Sequence, residues 1–513
     1  MMKIVMLVRF AWAGWVLVRE GVLTFSGGGW FFGLIARKRS FSRSERMSCA
    51  MNRLGPSYVK LGQFLATRPD IIGRDAAEDL ALLQDRMKTF SWKVAVSQIE
   101  ASLGRNIKDI FYCFEEPVAA ASVAQVHPAW VRHEDGSMRR VAVKVIRPGV
   151  RRAFARDIKS FFFAAELAER YLISLRRLSL VRIVKNLQKI VRMEMDLRFE
   201  AAAISEMAEN ITGDVGFRVP KVYWECTGRD VLTMEWVDGI KISDRDGLIA
   251  AGYDPCKLAV SLIQSFLRHT LRDGFFHADM HSGNLFVDKD GVIVAVDFGI
   301  TGRLGQKEQR FLAEILFGFI HRDYKRVAEV HFAAGYVSDN YDVATFAQAN
   351  RAIGEPIHGH SVEGISMARL LSLLFEVTDI FDMQARPELL LLQKTMVVVE
   401  GVARSLDPNF NMWKAAEPVV SEWISKNIGP VRFIRDIFEG SQDLIQAFRK
   451  KSESFDVFYG DGKKDRVLHS GFYSSNDAFH KKLVFDSRCA LWIIAFCCLV
   501  IVFKFVLFPF VRI

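Results

Sequence analysis

The chain has 513 residues, half of them hydrophobic, and carries a formal net charge of +10. That length exceeds a single small core and leaves room for roughly two to four structural units. The seven cysteines are scattered without a Cys-x-x-Cys pair, which excludes a disulfide framework or zinc site and fits a reducing compartment. The net charge suits nucleic acid and anionic lipid equally, so local patterns must identify the partner.

The N-terminal stretch is apolar but interrupted by Lys3, Arg9 and Arg19, and no small-residue cleavage site follows, unlike in a signal peptide. A basic run at 37–39 follows it. These features predict an amphipathic helix on an anionic membrane surface, with a helix packed on the protein as the alternative. The apolar positions at helical spacing are Ile4, Leu7, Val8, Ala11, Trp12, Trp15 and Val18.

Three strand patterns occupy the middle of the chain. Residues 141–145 alternate around one inward-facing cation, Lys144. Residues 230–237 predict a second strand, which contains Glu235 and leads into a glycine-bearing connection. Two apolar runs, 285–287 and 292–296, flank an Asp-Gly turn and predict a β-hairpin.

The predicted hairpin gathers the polar residues at its open end. It places Asn284, just before its first strand, beside Asp297, just after its second. An amide oxygen and a carboxylate without sulfur ligands suit Mg²⁺ that bridges phosphates. Asp279 lies in the loop that leads into the hairpin and is positioned to accept a proton from an attacking hydroxyl or water.

Together these residues form the pattern His-x-Asp-x-x-x-x-Asn followed by Asp-Phe-Gly, which is typical of protein-kinase-like folds. In such a fold Lys144 would hold the α and β phosphates of ATP. Where protein kinases have a glycine-rich phosphate loop, this chain has Ala119, Ala120, Ala121 and Ser122. Alanine restricts positive-φ geometry and adds methyl groups near the phosphates, so we expect altered nucleotide handling.

A more specific resemblance comes from two short motifs. The run Lys60-Leu-Gly62-Gln63 resembles the K-x-G-Q signature of the UbiB family of atypical kinases, and Glu194-Met-Asp196 resembles its E-x-D motif. The alanine-rich loop resembles that family's replacement for the glycine loop. In this architecture the strand with Glu235 would be the hinge whose backbone holds adenine.

The resemblance implies that Glu200 pairs with Lys144. It also implies that Lys60 enters the cleft and meets the E-x-D acids where a protein substrate would otherwise bind, suppressing protein phosphorylation. On one regular helix Asp196 and Glu200 would share a face and Glu194 would not, since residues two apart point to nearly opposite sides. Either the helix is irregular there, or one acid meets Lys60 and the other points elsewhere.

The C-terminal segment 489–511 contains a single charged residue, Lys504. As a helix it would be roughly 34 Å long, enough to span a bilayer, with Lys504 reaching the headgroups or bending the segment into an in-plane hairpin. A buried core helix is the alternative. Three basic residues between 481 and 488 precede the segment and one, Arg512, follows it, which places the large N-terminal part in the cytoplasm.

We therefore expect an α+β, two-lobed protein-kinase-like fold with an N-terminal helical extension and a C-terminal transmembrane helix. The expected parts are an N-terminal membrane-surface segment at 1–48, a helical K-x-G-Q extension at 49–112, an N-lobe with inserted helices at 113–238, a helical C-lobe at 239–429, a tail and linker at 430–487, and a transmembrane anchor at 489–511.

The resemblance implies a membrane-bound atypical kinase or ATPase that uses ATP and Mg²⁺ and is required for, or regulates, ubiquinone biosynthesis, acting on or near isoprenoid lipid precursors. It implies the cytoplasmic side of a bacterial inner membrane, or the matrix side of a mitochondrial one. Expected partners are membrane lipids, quinone precursors and other ubiquinone-biosynthesis enzymes, with no nucleic acid. The alternatives are a conventional protein or small-molecule phosphotransferase, which the alanine loop disfavours, and a nucleotide-binding scaffold, which the intact acids disfavour.

Overall fold

The computed structural model describes residues 2–22, 43–66, 88–132, 136–171, 179–338, 340–359 and 387–428, together with 72, 79–80, 381 and 383. The linker expected at 430–487 and the transmembrane anchor expected at 489–511 lie outside the described residues. In the part of the chain that is described, no helix is both long and apolar enough to cross a bilayer.

The described strands are short and fall into three sheets. They are β1 (Cys113–Phe114), β2 (Ala119–Ala120), β3 (Ala124–Arg132), β4 (Met138–Ile146), β5 (Phe217–Arg218), β6 (Val231–Glu235), β7 (Gly239–Lys241), β8 (Phe275–His277), β9 (Leu285–Asp288), β10 (Ile293–Ala295) and β11 (Thr301–Arg303).

The described helices lie before, between and after these strands. They are α1 (Met2–Arg19), α2 (Arg43–Leu54), α3 (Pro56–Ala66), α4 (Trp92–Leu103), α5 (Ile107–Ile110), α6 (Val150–Tyr171), α7 (Leu180–Glu194), α8 (Leu197–Asn210), α9 (Arg245–Ala250), α10 (Pro255–Arg268), α11 (Gln306–Ile320), α12 (Tyr324–Ala333), α13 (Val343–Gly359), α14 (Pro387–Leu406) and α15 (Met412–Asn427).

The N-lobe is an antiparallel sheet with strand order β1-β3-β4-β6, and β2 also pairs with β3. Val141, Val143 and Val145 of β4 are fully buried in one apolar cluster with Ile99 of α4. Successive side chains of a strand point to opposite faces. Lys144 therefore points away from that cluster, toward the helices inserted after β4.

The helices α6, α7 and α8 follow β4, within the range 113–238 where an N-lobe with inserted helices was expected. One stripe of α7, containing Ile183, Leu187 and Val191, is buried at helical spacing. A new helix, α8, begins after Asp196, whose carboxylate accepts the backbone N–H of Arg198 at 3.2 Å. The helix is thus interrupted at the E-x-D motif, in agreement with the irregular helix that was one of the two alternatives, because Asp196 caps the start of a second helix.

The predicted hairpin is confirmed in the C-lobe, where β9 and β10 pair antiparallel. The Asp288 carboxylate accepts the backbone N–H groups of Asp290 and Val292, each at 3.0 Å, and Gly291 adopts a positive φ of 77°. This Asx-stabilised turn needs a glycine at the left-handed position. The hairpin is extended by β5 beside β10 and by β7 beside β9.

The C-lobe helices pack around α10, whose Leu262, Ile263 and Phe266 are fully buried. α14 and α15 contact α10 directly, and α11 packs against α15. Buried Val399 and Leu406 place one face of α14 in the same core. The two lobes confirm the α+β, kinase-like architecture.

The N-terminal helix α1 packs on α2 and α6 through Ala13 and Val16, which are buried. Arg9 forms an ion pair with Asp157 of α6. The buried residues lie outside the apolar stripe predicted to face a membrane. Trp12 and Trp15 of that stripe remain exposed. α1 thus packs on the protein through a face outside that stripe, and contact of the stripe with a membrane stays a prediction.

Candidate active site

The centre of the site is a buried lysine held between two carboxylates. Lys144 Nζ lies 2.8 and 3.0 Å from the two carboxylate oxygens of Glu200 and 3.0 Å from Asp297 Oδ1. Lys144 and Glu200 are nearly inaccessible to solvent, whereas almost half of the Asp297 side chain is exposed. The structure therefore joins β4, α8 and the end of the β9–β10 hairpin at one point.

Charge and burial oppose each other within this cluster. Burial alone would lower the pKa of Lys144, but the carboxylates of Asp297 and Glu200 outweigh it and raise that pKa above its usual range. Burial would raise the pKa of Asp297, but Lys144, with a smaller contribution from Lys60, lowers it. Burial raises the pKa of Glu200, and Lys144 opposes this effect. Lys144 is thus cationic and Asp297 anionic at neutral pH.

The loop that carries Asp279 is fixed by its histidines. The backbone N–H of Asp279 donates to His277 Nδ1 at 3.0 Å, and the Nε2 of that buried ring lies 3.3 Å from the Val296 carbonyl oxygen. Burial lowers the pKa of His277, so its ring is neutral. His281 Nδ1 accepts the N–H of Gly283 at 3.0 Å. These contacts agree with structural rather than catalytic histidines.

Asn284 and Asp297 meet at the open end of the hairpin, as predicted. The side-chain NH₂ of Asn284 donates to the Asp279 backbone carbonyl oxygen at 3.1 Å. The backbone carbonyl oxygen of Asn284 accepts the N–H of Val296 at 2.9 Å. Asp297 has a positive φ of 64°, a strained conformation for a residue with a side chain and frequent at functional sites.

These two residues suit a magnesium ion. Because the Asn284 nitrogen is committed to the loop, the amide oxygen is left as the ligand atom beside the half-exposed Asp297 carboxylate. An amide and a carboxylate oxygen match the few protein ligands that Mg²⁺ takes when phosphates and water complete its shell. The described residues contain no cluster of three or more His, Cys, Asp and Glu side chains that would indicate a protein-only metal site.

The K-x-G-Q helix α3 contacts the end of α7. Lys60 Nζ lies 3.1 Å from Glu194 Oε2, and both side chains are mostly buried. Gly62 is buried and Gln63 is half-buried on the same helix. Asp196 instead binds the Arg198 guanidinium at 2.8 and 2.9 Å. Of the two E-x-D acids, Glu194 therefore meets Lys60, while Asp196 caps α8.

The alanine-rich segment forms a hairpin with β3 rather than an open loop. Ala119 and Ala120 pair with β3, and the Ala121 N–H donates to the Ala124 carbonyl at 2.8 Å across the turn. Arg147 donates to the Ala121 carbonyl oxygen at 2.9 Å. The adjoining Ser122 is fully buried. The hairpin is therefore tied to the end of the strand that carries Lys144.

Glu235 lies at the end of β6, outside the Lys144 cluster. Its carboxylate pairs with Arg218 at 3.0 Å and accepts the N–H of Lys221 at 3.2 Å. Arg218 also binds Asp288 at 2.7 Å. Arg218 thus links the N-lobe strand β6 to the β9–β10 hairpin, a connection for which the sequence shows no motif.

A second contact that sequence reasoning missed comes from α14. The buried Thr395 hydroxyl donates to the Ala278 carbonyl oxygen at 3.2 Å, next to Asp279. α14 reads in the sequence as an ordinary apolar helix, and the two residues lie 117 positions apart. The one local indication of this contact in the sequence was a hydroxyl residue on a buried helix face.

Comparisons with known proteins agree with this geometry. Residues 82–331 match the ABC1 atypical kinase-like domain, and residues 350–411 match the UbiB helical domain. A protein of Marinobacter nauticus named "Probable protein kinase UbiB" is 38% identical over 401 residues, covering 77% of this chain and 73% of that protein. A protein of the same name from Pseudomonas fluorescens is 38% identical over 408 residues, covering 79% and 76%.

One chain in a solved complex of Rv3197 with erythromycin from Mycobacterium tuberculosis is 22% identical, with a TM-score of 0.46 over 72% of this chain and 98% of that one. The domain matches and the 38% identity over most of both chains agree with the Lys144 cluster and the Lys60–Glu194 contact. This chain belongs to the UbiB family of atypical protein-kinase-like proteins.

Proposed function

We propose that the protein is a membrane-associated, ATP-dependent atypical kinase or ATPase that is required for or regulates ubiquinone biosynthesis, acting on or near isoprenoid lipid precursors. The observation that carries the proposal is the joining of Lys144, Glu200 and Asp297 beside Asn284 and Asp279. Each is a residue type that phosphoryl transfer needs, and the fold brings them together from separate elements.

Each residue has a distinct role in this proposal. Lys144, oriented by Glu200, holds the α and β phosphates. Asn284 and Asp297 would hold Mg²⁺, which neutralises phosphate charge when bound. Asp279, nearly half exposed, accepts the proton of an attacking water or hydroxyl.

The acceptor side of the site favours a small acceptor. The mostly buried Lys60–Glu194 pair supports the expectation that α3 occupies the place where a protein substrate would bind. This favours water or a small lipid precursor over a protein side chain. The exposed Trp12 and Trp15 of α1 support association with a membrane surface, where such precursors reside.

The test is Mg²⁺-dependent phosphate release by the purified full chain, with and without anionic liposomes and phenolic quinone precursors. Asp297→Asn should abolish Mg²⁺-nucleotide binding, and Asp290→Asn, in the exposed hairpin turn, is the matched control. Unchanged Mg²⁺-dependent ATP affinity in Asp297→Asn would contradict the kinase-like assignment. Transfer to proteins would favour a conventional phosphotransferase, and nucleotide binding without turnover would favour a scaffold.

A further inference from the structure

One arginine joins the two main sheets at the point where the chain passes from one to the other. β6 ends at Glu235 in the N-lobe sheet, and β7 begins at Gly239 in the sheet of the β9–β10 hairpin, so residues 236–238 form the connector between the sheets. Gly239 is paired with Asp288 of β9. Arg218 binds Glu235 at 3.0 Å and Asp288 at 2.7 Å. Its guanidinium therefore bridges the residue just before the connector and the strand that pairs with the residue just after it.

Both carboxylates are held by further backbone bonds. The second oxygen of Glu235 accepts the N–H of Lys221 at 3.2 Å, and the Glu235 N–H donates to the Lys221 carbonyl oxygen at 2.8 Å. The Asp288 side chain is 5% exposed, and its other oxygen accepts two N–H groups of the hairpin turn, each at 3.0 Å. Arg218 itself lies on β5, paired with β10 at Val294. The guanidinium thus lies between two oriented carboxylates, a geometry in which an ion pair loses little side-chain entropy.

The other contacts of the connector's first residue stay within the N-lobe. The Trp236 N–H donates to the Arg140 carbonyl oxygen of β4 at 3.2 Å, and the Arg140 guanidinium carbon lies 4.1 Å from the centre of the Trp236 ring. These contacts attach the connector to the N-lobe sheet but do not hold the two sheets against each other. The two Arg218 pairs do, because they reach both sheets.

A bound nucleotide would have to reach across this junction. In the proposed function, the backbone at the connector holds adenine, whereas Asn284 and Asp297, at the open end of the hairpin, hold the metal ion at the phosphates. The affinity for MgATP therefore depends on the spacing and angle of the two sheets. A site held at the correct spacing before binding saves the cost of ordering it during binding.

We propose that Arg218 is a positioning residue for MgATP, which bridges the connector and so holds the adenine side and the metal side of the site at the spacing that one nucleotide spans. The inference rests on the proposed function. Arg218 acts through Glu235 and Asp288 and does not itself bind the nucleotide. A ligand that occupies the connector alone, such as adenosine, needs no fixed spacing. Loss of the bridge should therefore weaken MgATP binding selectively.

The test measures the affinities of the full chain for MgATP and for adenosine by calorimetry. For Arg218→Met we expect MgATP affinity to fall roughly fivefold, which corresponds to about 1 kcal/mol, and adenosine affinity to stay unchanged. Arg218→Lys keeps the charge but cannot reach both carboxylates equally, so it should retain part of the MgATP affinity. Arg132→Met, at an exposed arginine that ends β3, is the matched control and should change neither affinity.

A second variant tests the bridge itself. Glu235→Gln keeps the backbone at the connector and removes the charge on the N-lobe side, so it should also weaken MgATP binding. Because both substitutions break the same contact, the double variant with Arg218→Met should lose little more than Arg218→Met alone. Amide hydrogen exchange without nucleotide gives an independent measurement. In Arg218→Met the amides of the connector should exchange faster, and those of β3 and β4 should not change.

Three results would overturn the inference. Equal losses of MgATP and adenosine affinity in Arg218→Met would make Arg218 a structural support without a role in spacing. Unchanged MgATP affinity and unchanged connector exchange would show that Arg218 does not set the spacing, and the proposed function would stand. Additive losses in the double variant would show that Arg218 and Glu235 act separately. If the unsubstituted chain binds no Mg²⁺-nucleotide, the proposed function fails and the inference with it.

Discussion

Replacing Lys144 by Met removes the cation from between a buried and a half-exposed carboxylate. Water can solvate Asp297, whose side chain is 46% exposed. Glu200 is 7% exposed and lies on the first turn of α8, so water reaches it poorly. Burial raises the pKa of Glu200, and Lys144 opposes this effect. Without Lys144 we expect Glu200 to become protonated rather than remain a lone buried anion.

The cost of protonating Glu200 sets how much unfolding free energy the Lys144→Met variant loses. Keeping a carboxyl neutral costs about 1.4 kcal/mol per pH unit above its unfolded pKa of about 4.3, or roughly 3.7 kcal/mol at pH 7. Burial already raises the pKa of Glu200 to about 7 beside Lys144, so the original chain bears part of this cost and roughly 3.7 kcal/mol is the upper limit of the deficit. Because the folded pKa of Glu200 is raised in the variant, its stability increases as the pH falls. The upper limit of the deficit should fall to about 1.6 kcal/mol at pH 5.5. Adding Glu200→Gln should remove this pH-dependent part.

The assay is urea unfolding followed by tryptophan fluorescence at pH 7 and pH 5.5. It compares the original chain, Lys144→Met, the double variant with Glu200→Gln, and Lys241→Met as an exposed strand lysine control. A deficit for Lys144→Met that is equal at both pH values would refute the reasoning. So would a double variant that keeps the same pH dependence.

Three further predictions use other parts of the chain. Ala120→Gly relaxes the backbone of the alanine hairpin, so it should alter the preference between ATP and ADP and add some autophosphorylation. Lys60→Ala should change autophosphorylation in the same direction. If neither variant changes these activities, the alanine hairpin and Lys60 do not restrain phosphoryl transfer. Arg218→Met should cost about 1 kcal/mol of unfolding free energy, measured by denaturation, at neutral pH. Arg218 helps to lower the pKa of Asp288 against burial, so the difference should shrink below about pH 4, and a constant difference would exclude that role. Deleting residues after Ser487 should release the protein only partly from membranes in flotation assays, and complete release would remove α1 from the anchoring.

Local patterns predicted the β9–β10 hairpin and the strand of Lys144 correctly, because both depend on short-range rules. An Asp-Gly turn between apolar runs sets the hairpin, and period-two alternation sets the direction of Lys144. The face of α1 could not be predicted in the same way. Ala13 and Val16 are buried against neighbouring helices, while the larger Trp12 and Trp15 stay exposed. Because α1 is apolar on several sides, the neighbouring helices α2 and α6 decide which side is buried.

Contacts between distant segments were also beyond local patterns. The Thr395–Ala278 hydrogen bond depends on how α14 packs, and the Arg218 pairs with Asp288 and Glu235 depend on the pairing of β5 with the hairpin, which no spacing encodes. At the E-x-D motif the sequence left two alternatives open, an irregular helix or acids that point apart. One capping carboxylate, Asp196, decides the matter because it separates α7 from α8.

In the proposed function, that helix junction connects the acceptor side of the site to the nucleotide side. Lys60 binds Glu194, the last residue of α7, and Asp196 starts α8, which carries Glu200 in its first turn. Lys60 also helps to lower the pKa of Asp297, although it pairs with a different acid. Moving Lys60 away would therefore weaken the field that keeps Asp297 anionic and release the end of α7 next to Glu200. A ligand that displaces Lys60 should thus change metal and nucleotide affinity as well as access to the acceptor side.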